Sequence, residues 1–130
     1  MNSPFDHYTV ATEQEVNATA AAVARIAEKQ GFQVLHIHDL RKIFGDQGFA
    51  APPARVVEIC FAAFGSQLLG ADPLTSLMMP CRIAVYTKDG QTHISALRPR
   101  LVGEFFPQFA EMANRGDAMM RAIVDEAQEA

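Results

Sequence analysis

The side chains with the most distinctive chemistry are two cysteines and a pair of methionines beside the second. Cys60 and Cys81 stand with twenty residues between them, and Met78 and Met79 come just before Cys81. Their thiolates could ligate a soft metal, bind haem iron or exchange with a disulfide. The spacing matches neither a C-x-x-C redox pair nor the paired C-x-x-C units of a zinc site, and free cysteine is also among the most buried residue types. Strand parity argues against a joint site. With Val57, Ile59 and Phe61 facing a core, Cys60 points the opposite way with Glu58, whereas Cys81 shares the face of Ile83 and Val85. Only a bulge would undo that separation. Met78, Met79 and Cys81 cluster soft sulfur that copper(I) or haem would accept, at the entry to a strand stiffened by Pro80. Methionines at a helix end also serve simply to fill gaps in a core. If the cluster has a chemical role, it lines an apolar pocket beside Cys81.

Other candidates are sparser. His36 and His38, two apart on a strand, project from one face and could chelate zinc or copper if Asp39 or a distant residue converged on them. Two ligands alone do not make a site, and a surface or interface role is the commoner fate of such histidines. Glu58 is the one carboxylate inside an apolar strand; it could be a general base, or it could pair with Arg82 or Arg55. Arg98 and Arg100 flank Pro99 and could clamp an anion, although basic residues in a surface loop are usually solvated. No G-x-S-x-G elbow, H-E-x-x-H helix, P-loop or dinucleotide fingerprint occurs.

The elements that must position these groups alternate between strand and helix patterns. Phe5 to Val10 reads as a strand. Thr12 and Glu15 then form a T-x-x-E capping box that opens a helix over Glu13 to Gln30, with Val16, Ala20, Val23, Ile26 and Ala27 as its apolar stripe and Gly31 as its stop. Phe32 to His38 is a strand with Phe32, Val34, His36 and His38 on one side and Leu35 and Ile37 on the other. Asp39 caps a short helical turn over Leu40 to Phe44, and Gly45 to Pro53 is a loop. A third strand runs from Arg55 to Phe61. Two short helices follow between Ala62 and Pro80, divided at Asp72-Pro73.

Cys81 to Thr87 and Gln91 to Leu97 flank Asp89-Gly90, the dipeptide that a two-residue hairpin turn demands. Counting outward from the turn pairs Val85 with Ile94 and Ile83 with Ala96 on the core face, and Tyr86 with His93 on the other. Pro99 to Ala130 is helical in pattern, with a possible break at Gly116-Asp117. The fold class is therefore α+β: a single small sheet of about four to five strands, including an antiparallel hairpin, covered by helices on one face.

Size and charge bound the function. At 130 residues the chain fits one domain over 1–130 that needs no metal or disulfide for its core. A formal charge of -4 argues against a broad phosphate-binding surface, so nucleic acid is not an expected partner. The start lacks a secretory pattern and no apolar run is long enough to span a bilayer, so a reducing cytoplasm, free thiols and no membrane are expected.

Val57-Glu58-Ile59-Cys60, the later Asp72-Pro73, Met79-Pro80-Cys81-Arg82-Ile83, the Lys88-Asp89-Gly90 turn and Pro99 occur in the order that resembles the bacterial and archaeal family known as domain of unknown function 302. The resemblance spans about Tyr8 to Pro99, leaving the helices over 100–130 outside it. It implies a TATA-binding-protein-like α+β fold and a homodimer, and carries no agreed activity. Many relatives place Asn-Pro or Lys-Pro after the first cysteine, where this chain has Phe61-Ala62-Ala63, so a polar loop function there does not transfer.

These readings converge on a homodimeric cytoplasmic binding domain. Its ligand would be haem, a soft metal or a small apolar molecule near Cys60, Met78, Met79 and Cys81, with Glu58 and Arg82 as flanking contacts and His36 and His38 as a separate metal candidate. The alternatives are a thiol-dependent enzyme or redox carrier using Cys60 or Cys81, and a structural subunit that binds a partner through its histidine face.

Overall fold

A computed structural model describes residues 6–130. Its elements run β1 (His7–Thr12), α1 (Val16–Lys29), β2 (Gln33–Asp39), α2 (Leu40–Asp46), β3 (Ala54–Cys60), α3 (Ala62–Ala71), a 3-10 helix (Pro73–Met78), β4 (Cys81–Lys88), β5 (Gln91–Leu97), α4 (Leu101–Phe105), a short 3-10 turn (Pro107–Phe109) and α5 (Ala110–Glu129). The five strands form one antiparallel sheet in the order β1-β5-β4-β3-β2.

Alternation along the central strands assigns the faces. Val57 and Ile59 on β3, Ile83 and Val85 on β4, and Ile94 and Ala96 on β5 point to one side and are buried there, under α1 and α5. Removing each of the larger of these side chains from water contributes roughly 1.5–3 kcal/mol. Both covering helices meet the sheet through apolar stripes: Val16, Ala20, Val23, Ile26 and Ala27 on α1, and Met120, Ile123, Val124 and Ala127 on α5. Among the described residues, the opposite face of the sheet has no helical layer.

The hairpin has the register that its turn dictates: Val85 opposite Ile94, Ile83 opposite Ala96 and Tyr86 opposite His93. Asp89 and Gly90 both take positive φ, 54° and 76°, which a two-residue turn with the sheet's own twist requires. Asp39 accepts a hydrogen bond from the Lys42 amide (3.1 Å) and caps α2, while Asp72 accepts one from the Leu74 amide (3.0 Å) and restarts the chain in 3-10 form after α3.

Five expectations are corrected. The first strand is shifted toward Thr12 and its expected start, Phe5, lies outside the described residues. Thr12 consequently does not cap α1: it is the last residue of β1, paired with Thr92, and its hydroxyl donates to the Gln128 carbonyl (3.2 Å). The helix starts three residues later than a capping box would place it, at Val16. In β2 the register shifts between Val34 and His36, so Val34 and Ile37 both pack toward the core while Leu35 is exposed at the irregularity.

The other two corrections are linked. The pair Gly116-Asp117 does not break the C-terminal helix, and Arg98 is not a solvated loop residue. Arg98 donates through Nε and Nη2 to the two Asp117 oxygens at 2.9 and 2.6 Å, with both side chains nearly buried. Arg100 likewise grips Asp6, at 2.7 and 3.0 Å. Neither arginine is left to clamp an anion; they fix the chain after β5 to α5 and to the start of β1. Close approach then matters at Gly103, where a Cβ would stand 2.9 Å from the Ala110 backbone.

Burial alone would raise the Asp117 carboxyl, but the Arg98 guanidinium holds it below its ordinary value. The stability so gained is complete above the unfolded carboxyl's pKa of about 3.9 and is lost as pH falls through the lower folded value. Asp117→Asn leaves Arg98 buried without its countercharge and is expected to cost about 3–5 kcal/mol in urea unfolding at pH 7. In the same assay at falling pH, the gap between variant and parent narrows.

Candidate ligand cavity

At the end of the sheet where β3 leaves and β4 enters, the chain between the two strands folds back over the core edge and leaves a recess. Its floor is Ile59, Cys60 and Cys81; its walls come from α3, the 3-10 helix, Pro99, Val102 of α4 and the Met112–Gly116 stretch of α5. The enclosed space is about 80 Å³ and its lining is almost wholly apolar. Phe32, Phe61 and Phe64 form one wall by tilted and edge-on contacts, with centroids 5.2 and 4.9 Å apart. The Arg115 guanidinium lies 5.1 Å from the centre of the Phe64 ring, over its face. Thr75, fully buried beside the recess, spends its hydroxyl on the Asp72 carbonyl (2.8 Å).

Both cysteines line this recess, which corrects the parity argument. Alternation holds to the end of β3 and then fails, because Ile59, Cys60 and Phe61 all face the same space as the chain turns from strand to helix. Met78, Met79 and Met112 join them, so both cysteines and three of the six methionines converge here. Gly65 keeps the space open on the α3 side: a methyl there would stand 3.6 Å from Cys60 Sγ and 4.0 Å from Met79 Sδ. Met112 was not among the sequence candidates. Its helical stripe reads as ordinary core, and only the tertiary course of α5 brings it to the sulfurs.

Burial pushes the Cys81 thiol up to about 11, Cys60 adds to the push, and Arg82 weakly opposes it. A thiol held neutral at physiological pH is a poor nucleophile, which weighs against Cys81 as the centre of a thiol enzyme.

Glu58 and Arg82 do not reach the recess. They lie on the open face of the sheet, opposite one another on β3 and β4. Glu58 takes a hydrogen bond from His38 Nε2 at 2.8 Å and a longer contact from Arg82 Nε at 3.5 Å. The His38 bond is the main reason that the Glu58 carboxyl sits below its ordinary value. Arg55, the other expected partner, instead pairs with Asp39 (3.2 Å) and Asn17 (2.7 Å). His36 and His38 stand edge to face with ring centroids 4.5 Å apart. Asp39 does not converge on them as a third ligand, being held by its helix cap and Arg55. Among the described residues no group of three or more His, Cys, Asp or Glu is placed to hold a metal ion.

The same face carries a line of hydroxyls that single residues did not reveal. Thr9, Ser95 and Tyr86 are joined by two hydrogen bonds of 2.7 Å, His7 Nδ1 meets Thr9 at 2.7 Å, and Tyr86 stacks on His93 at 5.7 Å. Among the described residues no helix is long and apolar enough to cross a membrane.

A five-stranded antiparallel sheet with one helical face and a recess at the β3–β4 end defines a small α+β domain. The chain belongs to the family described as Domain of unknown function DUF302, whose model matches residues 8–127. The match runs well past Pro99, so α4 and nearly all of α5 are part of the family's body. The chain is similar to the crystal structure of an uncharacterised conserved protein DUF302 from Bacillus stearothermophilus, with a TM-score of 0.87 and 23% identity over 96% of this chain and 99% of that one. At that identity the likeness speaks for the fold alone. No curated protein matches the chain.

The raised Cys81 thiol predicts its reactivity. At pH 7.5 it carries roughly 100-fold less thiolate than an ordinary exposed cysteine. In Cys60→Ser protein, the remaining thiol is expected to react with a chromogenic disulfide far more slowly than in urea-unfolded chain, and to speed up as pH rises toward 11.

Proposed function

We propose that the domain binds one small, uncharged or soft guest in the recess between β3, α3 and α5, in a reducing cytoplasm. A single observation carries this reading: five sulfur side chains, Cys60, Met78, Met79, Cys81 and Met112, converge on an apolar space in which Thr75 already has its hydrogen bond. Apolar recesses of this kind take guests by contact and exclusion of water rather than by polar recognition. A space of about 80 Å³ is smaller than the roughly 150 Å³ that accommodates benzene in an apolar cavity. The part of a guest held inside the recess is therefore a few atoms in size.

Methionine methyl spectra test the reading. Under xenon, the Met78, Met79 and Met112 signals are expected to shift more than those of Met119 and Met120, and Gly65→Ala is expected to weaken the effect by filling space beside Cys60 and Met79. The same substitution should raise stability by about 0.5–1 kcal/mol through helix propensity. Shifts that are uniform across all methionines, or that are untouched by Gly65→Ala, would reject the recess as the site.

The family resemblance also implies a homodimer, and we assign it to the open face of the sheet. What supports this assignment is the absence of a helical layer there and the mix of Val56, Ala84, Tyr86 and His93 on that face. Ala84→Glu is expected to yield monomers in sedimentation with the fold intact; an unchanged sedimentation coefficient rejects the assignment.

A further inference from the structure

Resting on the reading of the recess as a guest site, we propose that its guest is a single copper(I) ion held by the Cys60 thiolate and the Met79 thioether, with Cys81, Met78 and Met112 closing the sulfur shell.

Room is the first constraint. A space of about 80 Å³ is about half of the roughly 150 Å³ that accommodates benzene in an apolar cavity. It suits an ion with its ligands already in the wall better than a multi-atom cofactor.

Donor type is the second. Thioethers and thiols select soft, monovalent copper, whereas zinc needs imidazole, carboxylate or further thiolate, and no such side chain faces the recess. A built methyl on Gly65 touches both Cys60 Sγ and Met79 Sδ, so these two sulfurs border one shared space, with Cys81 beside it.

Charge is the third constraint, and it separates copper(I) from divalent ions. An apolar recess does not tolerate uncompensated charge. When copper(I) binds one thiol, the S–H bond breaks, a Cu–S bond forms and the proton leaves to solvent, so the recess stays neutral. The Met79 thioether donates as a neutral ligand, and Cys81 stays a protonated neighbour of the metal.

The test is anaerobic titration of the full chain with copper(I) against a chromophoric copper(I) chelator. The expected result is one copper per chain, about one proton released per copper, and X-ray absorption showing sulfur neighbours only. Cys60→Ser and Met79→Leu are each expected to weaken binding by at least about tenfold, with unchanged circular dichroism. Nitrogen or oxygen neighbours in the wild-type spectrum would place copper on surface histidines and overturn the proposal even if a variant failed to fold. Binding that Cys60→Ser leaves intact would overturn it as well. A chain that takes up xenon at the methionines but not copper refutes the copper assignment and keeps the guest site, whereas loss of both refutes the two together.

Discussion

The pairing of β3 with β4 is the constraint on which the rest of the molecule depends. It places Val57 opposite Ile83 and Ile59 opposite Cys81, and thereby decides which face of the whole sheet is dry. A slip of β3 by one residue against β4 would turn Val57 and Ile59 outward and bring Glu58 under the helices. That arrangement would bury a carboxylate against the apolar stripes of α1 and α5. Charge and apolar residues thus specify the same register from opposite sides of the sheet.

The recess follows from that register because the two strands end together. Where β3 stops at Cys60 and β4 starts at Cys81, the sheet can no longer supply side chains to fill the space under the connecting segment. Aromatic rings close one side and methionines the other, and the glycines at 65 and 116 leave the middle unfilled. The result is an apolar pocket in which burial holds the Cys81 thiol neutral, a setting unfavourable to nucleophilic chemistry at that sulfur.

Most of the fold was legible in the sequence where short-range rules decide. The Asp89-Gly90 turn fixed the hairpin register, and Asp39 and Asp72 marked helix starts that the structure has. Long-range competition decided elsewhere. Thr12 had two possible partners, a helix N-terminus in its own sequence and a strand residue, Thr92, far along the chain, and the strand took it. Gly116-Asp117 resembles a break only until Arg98 is found opposite Asp117. For the site, the sulfur content and the apolar pocket beside Cys81 were legible. The position of Cys60 was not, because strand parity carries no information about the residue at which a strand gives way to a helix. Glu58 and Arg82 failed as pocket residues for the complementary reason: alternation does hold for them and carries them to the far face.

The segment that roofs the recess is a loop of the sheet rather than a layer of its core. The core residues of α3 and the 3-10 helix amount to Thr75 alone, whereas the helices under the sheet bury whole stripes. Substitutions at the exposed positions of 62–78 therefore bear on the shape of the chamber more than on the framework beneath it.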